Sequence, residues 1–378
     1  MDLTSGLKIA TIRGIAIRVH WSWALIFSLL TWSLAGYFEG QFEDWSRATA
    51  VGAGAITAFT FFLSVLLHEL SHALVAQRYG MQVPSITLFI FGGVSSIASE
   101  MKSAQQEFFV AAAGPAMSFL LGLVFGVAAI LSSGHVAEIL FYLGTTNVIL
   151  GIFNLLPGFP LDGGRVFRAI IWGRTKDLAK ATRIASRVGV GIAWLMIAAG
   201  VVIAITVSLS GLWYIFIGFF LKQGAEAAQQ QLVLERALEG VRARDLMRPP
   251  PNPLPESSSI QSVVDIGVLA RGERVILLER EGRVTGLMTT TDLARVPREE
   301  WPATSARTVM VQTEAVATVA PGAPAVDAVK LMAERDIHQV PVIEDGQLVG
   351  ILSRGDVLNH IQNRVQFGGG SPVSPERR

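Results

Sequence analysis

At 378 residues, with 51% hydrophobic and only 16% charged residues, the chain is too apolar for an ordinary soluble protein. A net charge of +1 gives no sign of nucleic-acid binding. With no cysteine present, disulfides and thiolate ligands are excluded, and any metal must be held by His, Asp or Glu.

From the N-terminus, Lys8, Arg13 and Arg18 are spread over a long lead-in, and no small-residue cleavage site follows the first apolar run. No signal peptide is expected. A spanning helix needs roughly 20 mostly apolar residues. Such runs fall at 21–37, 50–75, 108–131, 139–156, 188–207 and, shorter, 211–221. Basic residues cluster before the first run (Lys8, Arg13, Arg18), after the second (Arg78, Lys102), between the fourth and fifth (Arg165 to Arg187) and after the sixth (Lys222). The alternate loops hold only Arg47, beside Glu39, Glu43 and Asp44. Positive residues favour the cytoplasmic side, which predicts about six spans in the cell membrane with both termini inside.

Two stretches at membrane depth do not read as helix. Residues 85–97 follow Pro84, are rich in β-formers and contain Gly92-Gly93, predicting a short strand or hairpin. Such backbone survives at that depth only where protein or a watery cavity covers it. In NLLPGFPLDGG, residues 154–164, Pro157 and Pro160 stop a helix and Gly163-Gly164 permits a tight turn. Beyond Lys222 a Gln- and Glu-bearing helical connector leads to an internal repeat. ARDLM (243–247) recurs as ARTVM (306–310), and EGRVTGLMTTTDL (281–293) as DGQLVGILSRGDV (345–357). Each copy reads as helix, strand, strand, helix. The fold expected is therefore a polytopic α-helical membrane protein with a small membrane-embedded β element, followed by a soluble α/β pair. The expected boundaries are 1–222, 223–242 (connector), 243–304, 305–365 and 366–378, the last a Gly-, Ser- and Pro-rich tail expected to be disordered.

His68-Glu69-Leu70-Ser71-His72 is an HExxH motif inside the apolar run FFLSVLLHELSHALVA. Residues i and i+4 lie about 40° apart on a helix and one turn along it, so both imidazoles can face one metal. The intervening Glu69 then sits beside a metal-bound water as general base. A chance match is the alternative, but each ionisable group in a spanning helix costs at least about 2.5–3.5 kcal/mol on insertion scales. Three together demand a compensating partner. A catalytic zinc takes three protein ligands plus water. Asp162, the only acid in the break at 154–164, is the best third ligand, and the topology puts it at the same membrane face as the two histidines. That Asp162 only caps the helix starting near Arg165 stays open at this point.

HExxH in a spanning helix followed by NxxPxxPLDGG resembles the site-2 protease family of intramembrane zinc metalloproteases, over roughly residues 8–221. The resemblance implies His68, His72 and Asp162 as ligands of one Zn2+ and Glu69 as catalytic base. It implies that Asn154 helps bind the substrate carbonyl or stabilise the oxyanion. Residues 85–97 are similar to the family's embedded strand region, where an unwound substrate segment adds as a further strand. Ala113-Gly114-Pro115 matches a family Gly-Pro element; many members have Asn where this chain has Ser118, and Ser118 is assigned no role. His20 recurs at its place in the family, but an interfacial His beside Trp21 and Trp23 explains it equally, and it is left out of the site.

The repeat at 243–364 resembles a tandem CBS-domain pair, through Gly286…Thr289…Asp292 and Gly350…Ser353…Asp356, with HQVPVIEDG at 338–346. Such pairs often bind adenine nucleotides (AMP, ADP or ATP), which the resemblance places with Asp292 and Asp356 near ribose hydroxyls and Thr289 and Ser353 near phosphate. The first copy's ERVILLER departs from the usual PVV-like strand. Dimerisation without a ligand is the competing use of the pair. The expected activity is cleavage of membrane-bound regulatory proteins with a single transmembrane helix, modulated by nucleotide. The competing function is a CBS-gated transporter, whose ion path buried His, Glu and Asp could form.

Overall fold

The computed structural model describes residues 6–90, 92–96, 101–313 and 316–367. They divide into two units, Met1–Leu232 and Val233–Arg378.

The first unit opens with β1 (Leu7–Ile12) and β2 (Ile15–Val19), a hairpin turning on Arg13 and Gly14, whose φ angles are 48° and 82°. Positive φ at both turn residues gives the twist that lets short hairpins pair. The basic lead-in is thus a pair of strands, which the sequence reading did not anticipate. Helices α1 (Ser22–Gln41) and α2 (Arg47–Arg78) follow, then β3 (Ser85–Phe89) and β4 (Gly92–Ser96). In the strand or hairpin expected at 85–97, β3 and β4 pair antiparallel as a hairpin, with Phe91 and Ile97 outside the described residues. β2 pairs parallel with β3, so the sheet runs β1-β2-β3-β4. Ile15, Ile17 and Ile86 pack on Leu70, Ala73 and Ala76 of α2 and on Val110. The sheet therefore lies against the third of α2 that carries HExxH.

Next come α3 (Ala104–Leu131), α4 (Gly134–Asn154), α5 (Asp162–Thr175), α6 (Leu178–Thr206) and α7 (Gly211–Ala237). α2, α3, α4 and α6 are long and apolar enough to cross a membrane. The 32 residues of α2 extend about 48 Å at 1.5 Å per residue, more than the roughly 30 Å hydrocarbon core. Outward-facing apolar residues such as Leu195 (71% exposed) and Ile205 (79%) leave a surface that water does not favour. The expected first and sixth spans fall in α1 and α7, which are not among those four. α7 runs without interruption past Leu221 to Ala237, so the expected boundary at 222 is not a break in the helix.

The second unit holds α8 (Ala243–Leu246), β5 (Leu254–Pro255), α9 (Ile260–Val263) with a π-helical continuation Val264–Ala270, β6 (Val275–Arg280), β7 (Arg283–Thr289) and α10 (Thr290–Leu293). Then come β8 (Val311–Gln312), α11 (Ala325–Glu334), β9 (Gln339–Glu344), β10 (Gln347–Ser353) and α12 (Arg354–Phe367). The two β-hairpins turn on Glu281-Gly282 and Asp345-Gly346, all with positive φ, so the repeat seen in sequence is a repeat of turn geometry. Val275, Leu277 and Ile351 form a core shared by the copies. α12 continues to Phe367, two residues into the stretch expected as tail; residues 368–378 lie outside those described.

Candidate functional site

One face of α3 organises the apolar unit. Val110, Gly114 and Ser118 recur at helical spacing, and each acts on a histidine of α2. The Val110 carbonyl accepts from His72 Nδ1 at 2.6 Å. Ser118 Oγ lies 2.8 Å from His68 Nδ1. A Cβ on Gly114 would stand 2.2 Å from His72 Nε2 and 2.5 Å from His68 Nε2. Only glycine lets the two rings approach α3 so closely.

Asp162 begins α5 after the break that Pro157 and Pro160 impose. Side chains at Gly163 or Gly164 would strike the backbone of Leu155 (2.3 Å) or Gly158 (2.4 Å), so the Gly pair lets α5 fold back against the end of α4. That return places Asp162 Oδ2 3.1 Å from both His68 Nε2 and His72 Nε2. The three ligating atoms lie within 4.8 Å of one another. His68 and His72 are 4% and 6% exposed.

Charge decides what this cluster can hold. A carbonyl only accepts, so His72 Nδ1 carries a proton, and in the neutral ring Nε2 presents a lone pair. That lone pair meets a carboxylate oxygen at 3.1 Å. Two acceptors that close need a positive centre between them, a proton or a metal ion. Tetrahedral ligands about 2.0–2.1 Å from a zinc ion sit roughly 3.3 Å apart, so this donor set fits one metal with a position left open. The outer hydrogen bonds to Val110 and Ser118 are the kind that fix ring orientation in metal sites.

Glu69 lies between the histidines, and Ser95 Oγ of β4 donates to its Oε2 at 2.8 Å. A Cβ at Gly93 would come within 2.5 Å of Glu69 Cγ, so the sheet edge closes directly over the carboxylate. Among the described residues β4 pairs on one side only, with β3. Asn154 is not drawn in: its amide donates to the Leu150 carbonyl of its own helix at 3.0 Å. His20 is 3% exposed, with Nδ1 2.8 Å from Ser22 Oγ and its ring beside that of Trp21.

The sequence reading missed Ser118, Ser95 and Glu107. Ser118 stands one turn beyond Gly114 on the same face of α3. Glu107, the only charged residue of α3, is fully buried. Its Oε1 accepts from Arg168 Nε at 2.7 Å and from the same guanidinium's terminal nitrogen, with Arg165 Nε 3.9 Å away. A lone acid opening an apolar run was the available signal.

In the second unit, Thr289 and Asp292 form a capping box at the start of α10, with Thr289 Oγ1 donating to Asp292 Oδ2 at 2.6 Å. Ser353 and Asp356 repeat it at α12, with Ser353 Oγ donating at 2.5 Å. Thr289 and Asp292 line a cleft of about 680 Å³ with Leu287 and Ile337. Ser353 and Asp356 line another of about 600 Å³ with Arg248 and Arg354, where Arg248 also pairs with Asp356.

The peptidase family M50 model matches residues 56–136 and 129–198, and the CBS domain model matches 243–299 and 307–363. A Synechocystis protein named as a zinc metalloprotease (sll0528) is 32% identical over 366 residues, 95% of this chain and 96% of its own. Rip3 of Mycobacterium tuberculosis, also named as a zinc metalloprotease, is 33% identical over 367 residues, 95% of this chain and 93% of its own. A solved site-2 protease from Methanocaldococcus jannaschii covers 59% of this chain and 95% of its own at 29% identity, with a TM-score of 0.44. With such identity along nearly its whole length, the chain belongs to peptidase family M50, the site-2 proteases, and carries a tandem pair of CBS domains.

Proposed function

We propose that the chain is a multi-pass intramembrane zinc endopeptidase that cuts the transmembrane segment of single-span regulatory proteins. In this reading His68, His72 and Asp162 hold one metal ion, taken as zinc because the relatives are named zinc metalloproteases, and Glu69 is the general base. The observation that carries it is the meeting of two imidazole nitrogens and a carboxylate oxygen around a centre that must be positive. When bound, zinc supplies Lewis acidity toward a peptide carbonyl and toward water. Glu69 takes the proton of the attacking water and hands it to the leaving nitrogen. The Ser95 hydroxyl holds the carboxylate in place for both transfers.

A helix hides its carbonyls in hydrogen bonds, so the substrate must be extended before it is cut. The edge of β4 left unpaired among the described residues, next to Glu69, offers the backbone pairing that holds an extended segment. Asn154 serves as a neutral donor to the oxyanion, which requires its amide to leave Leu150. Basic-residue placement supports six spans, with α1 and α7 as the two outer ones and with both termini and the CBS pair on the cytoplasmic side. The two clefts of the CBS pair suit an adenine nucleotide that modulates cleavage, and the pair also offers a homodimer contact. With a single-span substrate in proteoliposomes, Glu69→Gln should lower cleavage by about 10²–10⁴-fold while zinc content stays that of the wild type. Full activity in that variant would reject Glu69 as base.

A further inference from the structure

Glu107 has no place in the chemistry above, yet it is a fully buried acid in an otherwise uncharged helix. Its surroundings explain its use. Arg168, its partner, also lays its guanidinium over the Phe159 ring, 5.0 Å from the centroid, and sends NH1 to Thr182 Oγ1 of α6 at 3.4 Å. Phe159 lies in the break just before Asp162 and packs on Ala185 and Ala225. One ion pair thus ties α3, the break, α5 and α6 together around the point where α5 begins. On α3, Glu107 lies three residues before Val110, on the face that orients both histidines.

We propose that Glu107 is a positioning residue for the metal. By holding Arg168 it fixes the start of α5, and with it the Asp162 carboxylate, against the helix that aims His68 and His72. The inference rests on the zinc reading given above. Buried ion pairs contribute little net stability, because desolvation of both charges offsets their attraction. Their attested use is to fix one register among several. Here the register matters because Asp162 must meet two nitrogens that α3 has already placed.

The test measures zinc affinity of the full chain in detergent by competition with a chelator, with cobalt(II) absorption as a second readout of coordination. Glu107→Gln keeps the side-chain shape and removes the charge. It should weaken zinc binding several-fold, less than the about 10–100-fold of losing a group bonded to a ligand directly, and alter the cobalt spectrum. Arg168→Lys keeps the charge but loses the two-pronged grip, and should show a smaller loss in the same direction. It also serves if Glu107→Gln fails to fold. Wild-type affinity and an unchanged cobalt spectrum in a folded variant, even one with a lowered Tm, would overturn the proposal. A wild-type chain that binds no zinc would instead sink the metal reading on which the proposal stands.

Discussion

The HExxH centre and the CBS clefts both carry acids at helix starts, but the acids are satisfied in opposite ways. Asp292 accepts from the Thr289 side chain and backbone, and Asp356 from Ser353 and Arg248. Each is satisfied by protein groups alone. Asp162 instead faces two imidazole nitrogens, one of which presents a lone pair when its ring is neutral, and Leu161 before it provides no side-chain cap. A carboxylate finished by its own turn explains a helix end. A carboxylate whose partners include an acceptor calls for a positive centre, a proton or a metal ion. The contrast favours the metal centre over a mere cap for Asp162, the alternative left open by sequence.

The largest effect expected from this difference is at Gly114. Gly114→Ala would place a methyl between the two imidazoles and α3. Zinc content and cleavage should both fall below detection while circular dichroism keeps the wild-type helix signal. Retained zinc would show that the rings do not depend on this approach. A smaller effect is expected at the caps. Asp292→Ala should destabilise the second unit by about 0.5–2 kcal/mol through loss of the capping box, read by thermal unfolding without any nucleotide. It should also weaken an adenine nucleotide in calorimetry. If stability is unchanged, Asp292 is held for a ligand after all, and the contrast fails.

The smallest effect concerns acid. Glu256 accepts from Arg280 Nε at 2.5 Å and from Thr285 Oγ1 at 2.8 Å. The Arg280 partnership, first among the causes, holds its carboxyl below the ordinary 4.5. A lowered carboxylate pKa stabilises the fold above the unfolded value and loses that contribution as pH falls through the folded one. Stability of the second unit should therefore drop modestly below pH 4.5, and Glu256→Gln should flatten that part of the profile. Identical acid limbs in both proteins would remove Glu256 from the account.

Much of this arrangement was legible because its signals are local. HExxH sets its own spacing on a helix, Pro157 and Pro160 announce a break, and the repeated hairpins carry Gly282 and Gly346 at the turn. Arg13-Gly14 is the same kind of turn signal, overlooked because Lys8, Arg13 and Arg18 read as charges flanking a span. That β2 pairs in parallel with β3 depends on strands separated by the whole of α1 and α2, which no local pattern encodes. Ser118 and Glu107 were missed for a related reason: their partners, His68 and Arg168, lie on other helices. The position of Asn154 was readable, but the turning of its amide onto Leu150 depends on which acceptor is nearest in three dimensions.

The central claim is tested most directly by the metal content of purified full-length chain, measured alongside Asp162→Ala. One tightly held zinc per wild-type chain, lost together with cleavage in Asp162→Ala, is the predicted result. A wild-type chain without zinc, or an Asp162→Ala chain that keeps both zinc and cleavage, would contradict it.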